Sequence, residues 1–85
     1  MALEITNPPP GAVYLIDPTL RREFQTLPLR VVASRPGRIE WRVNGDAVGA
    51  STSDGALMWP LTPGSHRITA RDEQGRSAET AIVVK

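Results

Sequence analysis

The sequence predicts an all-β fold, a two-layer β-sandwich of about seven to eight short antiparallel strands. Seven glycines and eight prolines are spread over 85 residues, which leaves no window for a long amphipathic helix and puts a turn signal roughly every 8 to 12 residues. The segment Arg38-Ile39-Glu40-Trp41-Arg42-Val43 alternates charged and apolar residues, the period of a strand with one face in the core and one in water. Asn44-Gly45 follows it directly, the pair that best tolerates the positive φ angles of a type I′ hairpin turn. Short strands at this spacing are those of an immunoglobulin-like sandwich.

In chain order, Leu3 to Thr6 is a first short strand. Asn7-Pro8-Pro9-Pro10-Gly11 must redirect the chain, because three prolines supply no backbone donors and cannot occupy a central strand. Ala12 to Ile16 reads as a short edge strand closed by Asp17-Pro18, and Thr19 to Gln25 as an irregular connection. From Thr26, the residues Leu29, Val31 and Ala33 alternate with Arg30, Val32 and Ser34 as a half-buried strand, ended by Arg35-Pro36-Gly37. Arg38 to Val43 and Ala47 to Ala50 fold back on each other about Asn44-Gly45. The small polar stretch Ser51 to Gly55 reads as a loop, and Ala56 to Leu61 as a strand carrying Met58 and Trp59. Thr62-Pro63-Gly64 fits a type II turn. Ser65 to Asp72 then sets His66, Ile68 and Ala70 on one face and Arg67, Thr69 and Arg71 on the other. After a turn containing Gln74-Gly75, Ser77 to Val84 is a last strand rich in β-branched residues.

The core of this sandwich should centre on Trp41, with Val31, Val43 and Ile68 around it. There is no cysteine, so Val31 and Ile68, read as lying on neighbouring strands, stand where related sandwiches place a disulfide. Residues 1–85 form a single domain with one core, since a chain of this length buries only roughly 60 to 65 per cent of its unfolded surface.

Composition excludes several functions. Zero cysteines and one histidine, His66, leave no all-protein zinc site and no cysteine nucleophile, and no cofactor is expected. Ten basic residues against nine acidic ones give a net charge of +1, with the signs interspersed, so nucleic acid is not an expected partner. No apolar run is long enough to span a bilayer, and the start MALEITNPPP lacks the basic and apolar regions of a signal peptide, so any export address is expected elsewhere.

Three stretches together cover almost the whole chain: ITNPPPGAVYLIDP at 5–18, IEWRVNGDAVG at 39–49, and WPLTPGSHRITARDEQGRSAETAIVV from Trp59 onward. In their order, Pro10-Gly11, Trp41, Asn44-Gly45, Trp59, Pro63-Gly64-Ser65-His66 and Asp72-Glu73-Gln74-Gly75-Arg76 resemble the C-terminal domain family of bifunctional penicillin-binding proteins of the 1C type. The resemblance implies a module excised from a larger peptidoglycan glycosyltransferase/transpeptidase. It implies a periplasmic location as part of an inner-membrane-anchored protein, without direct membrane insertion. The expected partners are other domains of that parent or another envelope protein. An acylating Ser-x-x-Lys motif needs a lysine, and Lys85, the single lysine, has Ile82 three residues before it. The domain itself is therefore expected to be non-catalytic.

Five residues are candidates for ligand or partner contact. His66 has the side chain suited to a general base or pH sensor, weighed against a strand-start histidine bonded to a turn. Tyr14 and Trp59 could form an aromatic platform for sugar rings, which would make the domain a carbohydrate-binding module for peptidoglycan glycan strands; for Trp59, between Met58 and Pro60 in an apolar strand, core or sheet-edge packing is the default reading. Arg67 and Arg71, with Arg30, Arg38 and Arg42, fall on outward strand phases and suit planar pairing with carboxylates. Asp72, just before a Gly-containing turn, reads as a turn former. The segments Ala12 to Ile16 and Ala47 to Ala50 are expected to be exposed edges open to docking.

Overall fold

Prolines decide where this chain changes sheets. The computed structural model describes residues 3–85, the side chain of Arg22 apart. Its eight strands are β1 (Leu3–Asn7), β2 (Ala12–Tyr14), β3 (Thr26–Ala33), β4 (Arg38–Val43), β5 (Asp46–Thr52), β6 (Leu57–Pro60), β7 (Gly64–Arg71) and β8 (Ser77–Val84). They form a three-stranded sheet in the order β1-β3-β6 and a five-stranded sheet in the order β2-β8-β7-β4-β5. β1 pairs antiparallel with β3. Pro8, Pro9 and Pro10 then end that ladder, and the chain crosses to the other sheet, where β2 runs parallel to β8. The other ladders are antiparallel, so the expectation of antiparallel strands throughout is corrected at this edge. A crossing between sheets, unlike a tight hairpin, does not force the two strands it joins to run antiparallel.

Another proline sits inside β3, the central strand of the small sheet. The Pro28 carbonyl accepts a hydrogen bond from Asn7 Nδ2 at 2.6 Å. The side of Pro28 that lacks an N–H therefore faces the point where β1 ends, and no ladder bond is lost.

The hairpin turn forms as its sequence requires, with φ of 55° at Asn44 and 88° at Gly45. β5 is longer than Ala47 to Ala50, because Ser51 and Thr52 pair with Ile39 and Arg38; their polarity had placed them in a loop. A register shift opposite Trp41 and Arg42 bulges the strand near Val48. Gly64 begins β7 and pairs with Val84, so Thr62-Pro63-Gly64 is a bend leading into a strand and not a separate type II turn. Thr19 to Gln25 holds one short 3-10 turn, Arg22–Phe24. The connection is organised by Gln25, which is buried, accepts from the Asp17 N–H and donates to the Asp17 and Leu20 carbonyls. Asp17 itself accepts from the hydroxyl and N–H of Thr19, which hold its carboxyl below the ordinary aspartate range.

The core lies between the sheets. Trp41 has no exposed surface, and its neighbours across β5 and β7 are Gly49 and Ala70, two of the smallest residues available. Its indole N–H donates to Ser51 Oγ at 3.0 Å, so the polar atom is not stranded. Gly49 has a second reason to be glycine: a Cβ there would come within 3.1 Å of Leu57 Cδ1 across the gap to β6. Val31, Val43 and Ile68 are buried in the same cluster. Val31 and Ile68 lie on opposite sheets and not on neighbouring strands of one sheet, which corrects the reading of their placement. One polar atom in this core is unsatisfied among the described residues: the hydroxyl of buried Thr80 on β8 has no hydrogen-bond partner.

Two outcomes follow for stability. Trp41→Ala removes the largest buried side chain and should cost about 3 to 5 kcal/mol, unfolding most of the population at ambient temperature; an unshifted denaturant midpoint would contradict the assignment of this core. Thr80→Val replaces an unpaired hydroxyl by a methyl of the same size and should raise stability by about 1 kcal/mol, read as a higher urea midpoint at unchanged m-value.

Candidate functional site

The residues that carry chemistry gather at the end of the sandwich marked by Asn44. His66 opens the inward face of β7, opposite Ile82, and is 9% exposed. Its Nε2 lies 2.7 Å from the Thr62 carbonyl, which can only accept, so the ring proton sits on Nε2. Nδ1 is then an acceptor and takes a hydrogen bond from Asn44 Nδ2 at 3.0 Å. The orientation of the Asn44 amide is fixed independently, because its Oδ1 accepts from the Arg67 N–H at 2.9 Å. The Asn44 N–H also donates to the Arg67 carbonyl at 2.8 Å. One asparagine thus makes the turn, extends the β4–β7 ladder and holds the imidazole.

The remaining faces of the ring are equally committed. Trp59, on β6 of the other sheet, meets His66 edge to face with centroids 5.0 Å apart and planes at 75°. Trp59 is 7% exposed. Among the described residues no hydroxyl or carboxylate bonds to His66, so the ring has neither a nucleophile nor an acid to act with. The structure places His66 as a joint between β4, β7 and the β6–β7 connection.

Trp59 and Tyr14 do not make a sugar platform. Trp59 points into the core, and Tyr14, on β2 of the five-stranded sheet, is half-buried against the same core. A stacking platform needs a ring face open to solvent; burial rules Trp59 out as a ligand contact and agrees with the packing reading of its apolar strand. Asp72 closes the β7–β8 turn: its Oδ1 accepts from the N–H groups of Gln74 and Arg76. Among the described residues no group of His, Cys, Asp or Glu is arranged to hold a metal.

The arginines are arranged differently. Arg38 and Arg42 on β4 and Arg67 and Arg71 on β7 all project from the outer face of the five-stranded sheet, as the alternation of exposed and buried residues along both strands shows. Beside Arg67 lies a shallow concavity of about 760 Å³, floored by Gly11, Ser65, Thr69 and Ala81 and bounded by Asn44-Gly45 and Glu79. The linear sequence did not reveal it, since its floor comes from small residues on three separate segments. The one available signal was that Ser65 and Ala81, both outward, are short where strand surfaces usually carry long side chains.

Comparison with known proteins gives two results. The model of the Penicillin-Binding Protein C-terminus Family matches residues 1–84. Among solved structures, a chain described under "Structures of Clostridium thermocellum CbhA fibronectin(III)-like modules" superposes with a TM-score of 0.72 at 21% identity, covering 99% of this chain and 96% of that one. At that identity the likeness concerns the fold. The search of curated proteins finds no matching relative.

Replacing Asn44 tests the joint. Asn44→Ala leaves the His66 Nδ1 and the Arg67 N–H without partners and puts a side chain other than Gly or Asn at positive φ; a loss of about 1 to 3 kcal/mol is expected. Asn44→Gly keeps the turn and loses only the bonds, so it should fall between the two. In the unaltered chain, long-range ¹H–¹⁵N correlations should show His66 as the Nε2–H tautomer. The Nδ1–H tautomer would contradict the geometry.

Proposed function

Since the chain belongs to the penicillin-binding protein C-terminus family, we propose that it is a non-catalytic accessory module of a periplasmic peptidoglycan glycosyltransferase/transpeptidase, working through protein contacts that position the catalytic domains of its parent. The observation that carries this reading is the commitment of the reactive side chains to the fold. The ring nitrogens of His66 are bonded to Thr62 and Asn44, and Trp59 is turned inward. The exposed features suited to a partner are backbone at the free edges β2 and β5, charged side chains of both signs with arginine prominent among them, and a few exposed apolar side chains such as Phe24 and Met58. Those are means of holding a protein surface, not of transforming a substrate.

The parts list of a glycan-binding module is not favoured, because the solvent-exposed faces of the two sheets offer no tryptophan or tyrosine ring to a sugar. A direct comparison separates the two readings. The ¹⁵N-labelled chain is titrated with the catalytic portion of a penicillin-binding protein that carries this module, and separately with isolated glycan strands. Amide resonances should broaden and shift with the protein and stay unchanged with the glycan. The reverse pattern would replace this reading by a carbohydrate-binding one.

A further inference from the structure

The outer face of the five-stranded sheet holds an arrangement of charge that the fold does not explain. In the β4–β7 ladder Arg42 stands directly opposite Thr69, with Arg67 two residues away on the same face. Residues so related have Cα atoms roughly 7 to 8 Å apart, within reach of long side chains, and like charges at close cross-strand positions are unfavourable. Arg67 finds a carboxylate only in Glu79, at 3.7 Å, with both side chains more than half exposed, an ion pair worth little. Among the described residues, Arg42 has no carboxylate within 4 Å; its Nη1 rests on the Gly45 carbonyl at 3.3 Å. Arg67, Thr69 and Gly45 line the concavity, so the Arg67 guanidinium borders it and that of Arg42 rests against its Gly45 rim.

On this geometry we propose that the concavity is a docking site for an acidic protein segment, a carboxylate of which lies between Arg42 and Arg67. The inference rests on the module acting through protein contacts and names the chemistry of what it contacts. Arg38 and Arg71 lie at the far end of this face with Glu40, Asp72 and Glu73, whereas at the concavity Arg42 and Arg67 meet one carboxylate, Glu79, so the local field there favours an anion. The cations are arginines, whose planar fork matches a carboxylate in two hydrogen bonds. The floor of Gly11, Ser65 and Ala81 lets an extended backbone approach closely, and a volume of about 760 Å³ is that of a short peptide or small ligand. No tryptophan, tyrosine or phenylalanine lines the concavity, and the His66 ring at its edge is 9% exposed, which sets a sugar chain at a disadvantage.

The test uses the ¹⁵N-labelled 85-residue chain and a short peptide that alternates glutamate with alanine, with its glutamine counterpart as control. The acidic peptide should shift the amides of Arg67, Thr69, Glu79 and Ala81, and the glutamine peptide should not. Arg42→Gln and Arg67→Gln should each weaken binding about tenfold, and higher salt should weaken it further. Glu79→Gln removes the competing carboxylate from Arg67 and should strengthen it; all three side chains are at the surface, so folding is not at risk. The proposal is overturned if the acidic peptide causes no shifts, if both peptides act alike, if the arginine variants bind unchanged, or if an anionic glycan shifts the same amides more strongly than the peptide. Failure here leaves contact with the catalytic portion of the parent to be judged by its own titration, and failure there leaves this site standing.

Discussion

The burial of one indole is the constraint on which the rest of this sandwich depends. Without cysteine, no covalent bridge joins the two sheets, and a domain of this size has a small margin to lose. Trp41 supplies the central volume, and its demands propagate outward. Beside it in the ladder stand two small residues, Gly49 and Ala70. Its N–H must be satisfied, which draws Ser51 into β5 and lengthens the hairpin beyond what polarity alone indicated. Gly49 permits Leu57 to approach from the other sheet.

The opposite end of the hairpin obeys a different rule, that buried polar groups must be paired. Asn44 is the sequence's solution to three requirements at once. It tolerates positive φ, continues the β4–β7 ladder through its own N–H, and presents an amide whose two ends fit the Arg67 N–H and the His66 ring. Aspartate would satisfy the turn and the Arg67 N–H but would offer an oxygen where Nδ1 needs a donor. This joint spends the histidine and orients Trp59 across the sheet gap. Side chains that looked like chemistry in the linear sequence are thus accounted for by polar satisfaction and packing.

The features legible in advance were those encoded locally. Period-two alternation located β4 and β7, Asn44-Gly45 located the hairpin, and three successive prolines marked a change of chain direction. What escaped was set by partners distant in the chain. Ser51 and Thr52 are strand residues because β4 lies beside them, not because of their own propensity. The parallel pairing of β2 depends on where the crossing chain lands. For Trp59, the apolar flanks Met58 and Pro60 already favoured packing, and the pairing with Leu27 on a core strand sets it inward. The concavity was the least legible feature, since its floor combines Gly11, Ser65 and Ala81 and exists only once β7, β8 and the segment before β2 are side by side.

Because both tryptophans and the histidine lie inside, a partner on the proposed reading meets exposed charge, edge backbone and scattered apolar side chains, and that limits the strength of recognition. An exposed pairing with arginine contributes on the order of 1 kcal/mol, while a dissociation constant of 1 mM already requires about 4 kcal/mol. Two or three such contacts in a shallow site therefore give weak binding between separate molecules. A short flexible tether raises the occupancy of such a site, since it holds a partner at an effective concentration in the millimolar range that separate molecules seldom reach. A surface of this kind suits a module that is covalently joined to what it contacts, or that engages an abundant neighbour in passing. A freely diffusing binder would need deep aromatic anchors on its surface, and this fold has spent both of its tryptophans on holding itself together.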